Sequence, residues 1–286
     1  MGKPYMGLVF ESRDLGVPIQ YAEYFEVQEV RRIGVVLLSG GLDSTTVAAY
    51  AKKQGYELKA ITLHYGQKHS KEVECAKKVA EVMGIKQEVI DISFFKKLAW
   101  HSALTSPEDF KVPKERNKKE MAKGIPTTYV PFRNTFFLTI AAAFLESEVL
   151  SLIENEKVDP EELEASILIA ANAIDYSGYP DCRPEYYEKM TRVLFEGSKL
   201  GTYYKKPINI ETPIILKTKA EIVKLGMELK APLQYTWSCY EGGEVPCGQC
   251  DSCILRAKGF AEAGYDDPLI VRLGEDGKIA ESEQTA

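Results

Sequence analysis

The stretch Ile33-Gly34-Val35-Val36-Leu37-Leu38-Ser39-Gly40-Gly41-Leu42-Asp43-Ser44-Thr45 decides the fold. Ile33 to Leu38 is a continuous apolar run, the pattern of a strand covered on both faces, and Thr45 to Gln54 reads as a helix ended by Gly55. Ser39 to Ser44 therefore sit where a strand hands over to a helix. There backbone amides and the helix dipole favour an anion, and two glycines let a phosphate approach the main chain. The segment has neither the Gly-Lys-Ser/Thr ending of a Walker A loop nor the Gly-x-Gly-x-x-Gly spacing of a dinucleotide turn, so both of those readings fall.

The pattern repeats outward. Leu58 to Leu63 is strand-like, Ser70 to Met83 is helical with Val73, Ala76, Val79, Ala80 and Met83 on one face, and Gln87 to Ile92 supplies a third strand. Apolar strands separated by helices predict an α/β fold with a doubly wound, mostly parallel sheet. Asn134 to Leu145 should be a largely buried helix and Ile167 to Ala171 a further core strand. Glu146 to Ala165 between them holds eight acidic residues and one lysine, which suggests a solvated helical excursion with Asp159 and Pro160 as a start signal. Lys111 to Lys123, with six basic and two acidic residues and no apolar period, reads as a mobile loop.

Pro184 to Leu200 reads as helix, Ile208 to Leu216 as extended, and Thr218 to Leu229 as helix opened by a Thr218/Glu221 capping box. A last helix is expected from about Cys253 to Ala263, and a hairpin from Leu269 to Leu273 and Lys278 to Ala280 around Asp276 and Gly277. The division that follows is an N-terminal extension (1–30), an α/β nucleotide-binding and catalytic domain (31–230), a small cysteine-bearing helical element (231–265) and a C-terminal tail (266–286).

The chain of 286 residues allows about two units at 150 residues each, and 45% hydrophobic with 27% charged residues is ordinary soluble usage. With 36 basic against 42 acidic residues the net charge is −6, so any attraction to nucleic acid or an anionic membrane has to be local. Apolar runs such as Phe136 to Leu145 fall short of the roughly 20 residues of a membrane span, and Met1 to Phe10 does not read as an export signal. Of six cysteines, Cys239, Cys247, Cys250 and Cys253 crowd into 15 residues as Cys-x7-Cys-x2-Cys-x2-Cys. Four thiolates suit a closed tetrahedral zinc site of structural type, with an iron-sulfur cluster as the rival that spacing leaves open. Close cysteines used as ligands also make the cytoplasm the expected compartment.

The Ser-Gly-Gly-x-Asp-Ser segment resembles the PP-loop of ATP pyrophosphatases, enzymes of the adenine nucleotide alpha hydrolase-like fold that adenylate a substrate oxygen. Three more stretches sharpen the likeness: His64-Tyr65-Gly66-Gln67-Lys68-His69, Thr127-Thr128-Tyr129-Val130-Pro131-Phe132-Arg133-Asn134, and Asp175-Tyr176-Ser177-Gly178-Tyr179-Pro180-Asp181-Cys182-Arg183-Pro184. Together they resemble the 7-cyano-7-deazaguanine synthases, the QueC-like enzymes of queuosine and archaeosine biosynthesis. The resemblance implies that 7-carboxy-7-deazaguanine, ammonia and two Mg-ATP give the nitrile through an acyl adenylate, an amide and an activated amide.

On that reading Leu38, Ser39, Gly40, Gly41, Leu42, Asp43, Ser44, Thr45, Tyr65 and Gln67 bind ATP, with Asp43 a candidate Mg2+ ligand. Ser39, Asp43, Ser44, Lys68, Arg133, Lys217 and Lys219 are the candidate catalytic groups, the cations neutralising the leaving group. Asn134, Asp175, Tyr176, Ser177, Tyr179, Asp181 and Arg183 are the candidate deazapurine contacts, since carboxylates accept from purine N–H groups and aromatic faces stack. The expected partners are the small molecule and ammonia, with room for a homodimer and no role for a membrane. A PP-loop tRNA thiolase is the enzymatic alternative, but the short basic stretch at Lys111 to Lys123 argues against nucleic acid. A related alternative is a paralogue acting on another deazaguanine, and a non-enzymatic one is a catalytically silent nucleotide-binding module.

Overall fold

The computed structural model describes residues 30–65, 71–106, 108–110, 124–125, 127–174 and 179–279. The N-terminal extension up to residue 29 and the basic segment Lys111 to Lys123 lie outside them. Five parallel strands, β1 (Arg31–Leu37), β2 (Glu57–His64), β3 (Lys86–Asp91), β4 (Leu163–Leu168) and β5 (Ile208–Glu211), form one sheet in the order β3-β2-β1-β4-β5. Strand order reverses between β1 and β4, and in such sheets ligands bind outside the carboxyl ends of the strands at that reversal.

Alternate residues of β1 feed two cores. Ile33, Val35 and Leu37 join the helices α3 (Arg133–Glu154) and α4 (Pro184–Gly197), while Val36 and Leu38 join α1 (Leu42–Lys53), α2 (Lys71–Met83), α5 (Lys219–Glu228) and α6 (Asp251–Ala263). The sheet is thus covered on both faces, as a parallel sheet requires. The strands are less uniformly apolar than the sequence suggested: the edge strands β3, with Lys86, Gln87 and Glu88, and β5, with Asn209 and Glu211, carry polar residues, as does β4 at Glu164 and Ser166.

Three local expectations are corrected. The first concerns Glu146 to Ala165, which is not an excursion. Helix α3 continues to Glu154 because Leu138, Ala142, Leu145, Val149 and Ile153 keep one apolar stripe against the sheet. Its acids sit on the flanks: Glu146 accepts from the Leu200 N–H at 2.9 Å, Glu148 pairs with Lys59, and Glu154 accepts from Lys199 and Tyr204. The same segment continues through a single 3-10 turn, Pro160–Glu162, capped by Asp159, into the first half of β4, Leu163 to Ala165. At 22 residues α3 is also long and apolar enough to cross a membrane, contrary to the run-length expectation, yet its stripe is committed to the sheet.

The second correction is α1, which starts at Leu42 and not Thr45. The third is the expected hairpin, which is the helix α7 (Pro268–Glu275). Asp267 accepts from the Leu269 N–H at 2.9 Å, Pro268 occupies the first turn where no N–H is needed, and Leu269 and Leu273 bury against Trp237. The capping box of α5 is formed as expected, Thr218 and Glu221 each satisfying the other's backbone N–H.

Candidate active site

Because α1 begins at Leu42, Asp43 and Ser44 lie in its first turn and Gly41 is an N-cap that offers no side-chain acceptor. The first-turn amides are left for an anion. Ser39 and Ser44 hold the loop from within: the Ser39 N–H donates to Ser44 Oγ (3.2 Å), the two hydroxyls lie 3.0 Å apart, and Ser44 Oγ donates to the Gly41 carbonyl (3.2 Å). Gly40 has φ +82°, and a Cβ there would sit 2.6 Å from the Ala76 backbone nitrogen and overlap the Glu72 carbonyl. Only glycine lets the loop pass this close to α2.

A cavity of about 420 Å³ opens above the loop, at the carboxyl ends of β1, β2 and β4. It brings together Leu38, Ser39, Gly41, Leu42, Asp43, Ser44, Tyr65, Arg133, Asn134, Tyr179 and Lys219 from the expected set. Gly40, Thr45, Asp181, Arg183 and Lys217 are not on its wall. Thr45 is buried in the core face of α1, Arg183 is exposed at the start of α4, and the Lys217 carbonyl accepts from the Asn172 amide at 2.6 Å. Gln67, Lys68, Asp175, Tyr176 and Ser177 lie outside the described residues.

Lys219 Nζ donates to both carboxylate oxygens of Asp43, at 3.0 and 2.8 Å, so an expected metal ligand and an expected phosphate cation meet as an ion pair. Burial opposes the charge on Arg133, but Tyr65, Tyr179, Asp181 and Cys182 around it favour the cation, and it is held above even the ordinary guanidinium range. Burial likewise pushes the phenol of Tyr179 up; it stays a neutral hydroxyl, 2.9 Å from Thr128 Oγ1. Asn134 is less free than expected. Its N–H donates to Asp181 Oδ2 (3.2 Å) and its amide to the Asp181 carbonyl (3.1 Å) and Cys182 Sγ (3.4 Å), which ties the start of α3 to the segment before α4.

The opposite wall was missed in the sequence. Trp237, Ser238, Asp251 and Arg256 line it, from the element that carries the cysteines. The Trp237 N–H donates to the Gly40 carbonyl at 2.9 Å, so this element docks directly on the loop. No periodicity marks these residues; Trp237 and Ser238 directly precede Cys239, and Asp251 and Arg256 lie in the first turns of α6, so nearness to the cysteines is the available signal.

The Sγ atoms of Cys239, Cys247, Cys250 and Cys253 all lie within 4.8 Å of one another, and none of the cysteines forms a disulfide. Hydrogen bonds from Cys250 and Cys253 hold Cys239 far below the thiol range, whereas sharing with Cys239 pushes Cys250 up to about 11 and Cys253 upward as well. The Glu241 and Cys247 N–H groups also point at Cys239 Sγ, both at 3.4 Å. Four converging sulfurs with backbone donors fit a tetrahedral cation with thiolate ligands.

The family described as "Queuosine biosynthesis protein QueC" matches residues 33–264. Among similar curated proteins, the 7-cyano-7-deazaguanine synthase of Picrophilus torridus is 49% identical over 234 residues, 82% of this chain and 89% of that protein. The one from Thermoplasma acidophilum is 46% identical over 239 residues, 84% of this chain and 92% of that protein. That of a Nostoc species is 46% identical over 235 residues, 82% of this chain and 95% of that protein.

Proposed function

The chain belongs to the QueC family of queuosine biosynthesis proteins, and from that premise we propose that its loop-to-cysteine cavity converts 7-carboxy-7-deazaguanine to 7-cyano-7-deazaguanine at the expense of ATP. One observation carries this reading. The phosphate loop, the Asp43–Lys219 pair and the half-buried cation Arg133 all face one cavity of about 420 Å³, within the size range of small-molecule sites.

Two activations of the same carbon fit such a site. In the first, a carboxylate oxygen attacks the α-phosphorus of ATP, the bond to pyrophosphate breaks, and an acyl adenylate forms. Ammonia displaces AMP to give the amide and loses a proton. In the second, the amide oxygen attacks a second ATP, pyrophosphate leaves again, and loss of AMP with the remaining N–H protons gives the nitrile. Each round expels pyrophosphate, so preorganised donors at the leaving group are what the site has to supply. The amides of the first turn of α1, with Ser39 and Ser44, are suited to the phosphates, and Arg133 and Lys219 to the charge that develops on the leaving group. Lys68 and Lys217 are further candidates from the sequence.

Asp43 is the carboxylate suited to Mg2+, and Tyr65 and Tyr179 offer ring faces to a purine-like base, with Asp175, Tyr176, Ser177, Asp181 and Arg183 as sequence candidates beside them. Cys239, Cys247, Cys250 and Cys253 would hold zinc; bound there it supplies a closed shell that stabilises the element and leaves no open position for chemistry. We read 31–230 as the catalytic unit and 231–265 as its metal-binding element, working in the cytoplasm with ammonia as the nitrogen that enters the product.

Mass spectrometry of a reaction holding the carboxydeazaguanine, ammonium and Mg-ATP tests this. The nitrile should appear with two AMP, and the amide supplied alone should consume one ATP without ammonium. ADP as product, or an amide that is never consumed, would overturn the assignment.

A further inference from the structure

We propose that Gly259 is a positioning residue that aims Lys219 at the phosphate site, a role that rests on the reading of Lys219 and Asp43 given above. Helix α5 begins at Lys219 and packs along α6, where Gly259 lies buried in the helix interior. Glycine is the poorest helix former after proline, so its use there asks for a packing reason. A Cβ at Gly259 would overlap Lys219 Cγ and lie 3.2 Å from Lys219 Cβ and 3.4 Å from its carbonyl carbon. The space that the missing side chain leaves is thus filled by the stem of the lysine.

From that slot the ammonium reaches Asp43 at 2.8 and 3.0 Å, with the Lys219 side chain only 16% exposed. The other end of α5 is fixed in a similar way. A Cβ at Gly226 would sit 2.7 Å from Thr46 Oγ1 on α1 and 3.1 Å from Leu233 Cδ1. Retreat of α5 from a side chain at 259 toward α1 would drive Gly226 into Thr46 and Leu233. The stem of Lys219 has to move instead, and its head leaves Asp43.

The experiment compares wild type, Lys219→Ala, Gly259→Ala and the double variant by AMP release, with kcat and KM for ATP separated and thermal midpoints recorded. Lys219→Ala should lower kcat by about 100-fold, as loss of a donor to a developing anion does. Gly259→Ala should lower kcat about tenfold or more, and the double variant should match Lys219→Ala within twofold, because alanine at 219 has no Cγ to displace. Should Gly259→Ala fail to fold, a folded double variant with Lys219→Ala kinetics still supports the slot, and an unfolded one overturns it. A Gly259→Ala enzyme within twofold of wild type, or losses that multiply in the double variant, overturns the role of Gly259 alone. A Lys219→Ala enzyme with wild-type kinetics overturns the reading of the site itself and this role with it.

Discussion

Asp267→Asn should lower the melting point by about 6–12 °C. Arg256 and Asp267 form an ion pair of two bonds, Nε to Oδ2 at 2.6 Å and Nη2 to Oδ1 at 2.8 Å, with side chains only 7% and 10% exposed. Nη1 of Arg256 also donates to Thr236 Oγ1 (2.9 Å) and Ser238 Oγ (3.3 Å), and Nη2 faces the Leu233 carbonyl (3.4 Å). Removing one partner of a buried pair costs about 3–5 kcal/mol, because the other charge stays buried and uncompensated. Asparagine still caps α7 through its oxygen, which keeps the Leu269 N–H satisfied and places the loss at the low end, near 3 kcal/mol. At about 2–4 °C per kcal/mol for a chain of this size class, the shift follows. Scanning calorimetry at neutral pH reads it. Arg256→Met combined with Asp267→Asn should cost less than the two singles added, since neither charge is then stranded. A single Asp267→Asn variant that melts within 2 °C of wild type would refute the reasoning.

Other expected outcomes are more local. Asp43→Ala should fold with a wild-type circular dichroism spectrum but turn over poorly, because its side chain bonds across the cavity to Lys219 and not into the core; AMP production at the wild-type rate would contradict it. Arg133→Ala should impair the acid-to-amide and the amide-to-nitrile steps alike, which separate assays on the two substrates measure. Glu221 accepts from the Thr218 N–H and hydroxyl, which holds its carboxyl below the usual range. A depressed carboxylate contributes its stability at neutral pH and loses it as pH falls through the folded-state value. The melting-point difference between wild type and Glu221→Gln should therefore shrink on acidification, and a difference that grows would reverse the sign.

The parallel sheet was legible because apolar runs such as Ile33 to Leu38 alternate with helices that end at glycines such as Gly55 and Gly84. In Glu146 to Ala165 an acidic composition masks the period. Eight acids obscure the stripe at Val149 and Ile153 and the alternation Leu163, Ala165, Ile167 that builds β4. Likewise Leu269 to Leu273 carried too few residues to separate helix from strand until the Asp267-Pro268 start signal is given its weight. Local motifs single out the Ser39 to Ser44 loop and Arg133, which line one cavity, and the four cysteines, whose sulfurs converge. Trp237, Arg256 and Gly259 are not singled out in this way, since what they do depends on α6 crossing α5 and returning to the loop, a contact between distant segments.

That return contact shapes what loss of the metal ligands should do. Trp237 donates its N–H to the Gly40 carbonyl and its indole N–H to the carbonyl of Cys239, so one residue joins the cysteine cluster to the Ser39 to Ser44 loop. The loop's own bonds, Ser39 to Ser44 and Ser44 to Gly41, are independent of it. Cys250→Ala leaves three sulfurs, and since binding energy at a closed thiolate site is folding energy, the first effect should be on stability. The wall at Trp237 then loosens while the serines and Arg133 keep their places, so enzyme that remains folded should show a raised KM for ATP with kcat nearly kept. Elemental analysis should find about one zinc per wild-type chain and a clear deficit in the variant. Iron with visible absorbance in the wild type would sink the zinc assignment, and a Cys250→Ala protein of unchanged melting point and metal content would show that Cys250 is no ligand.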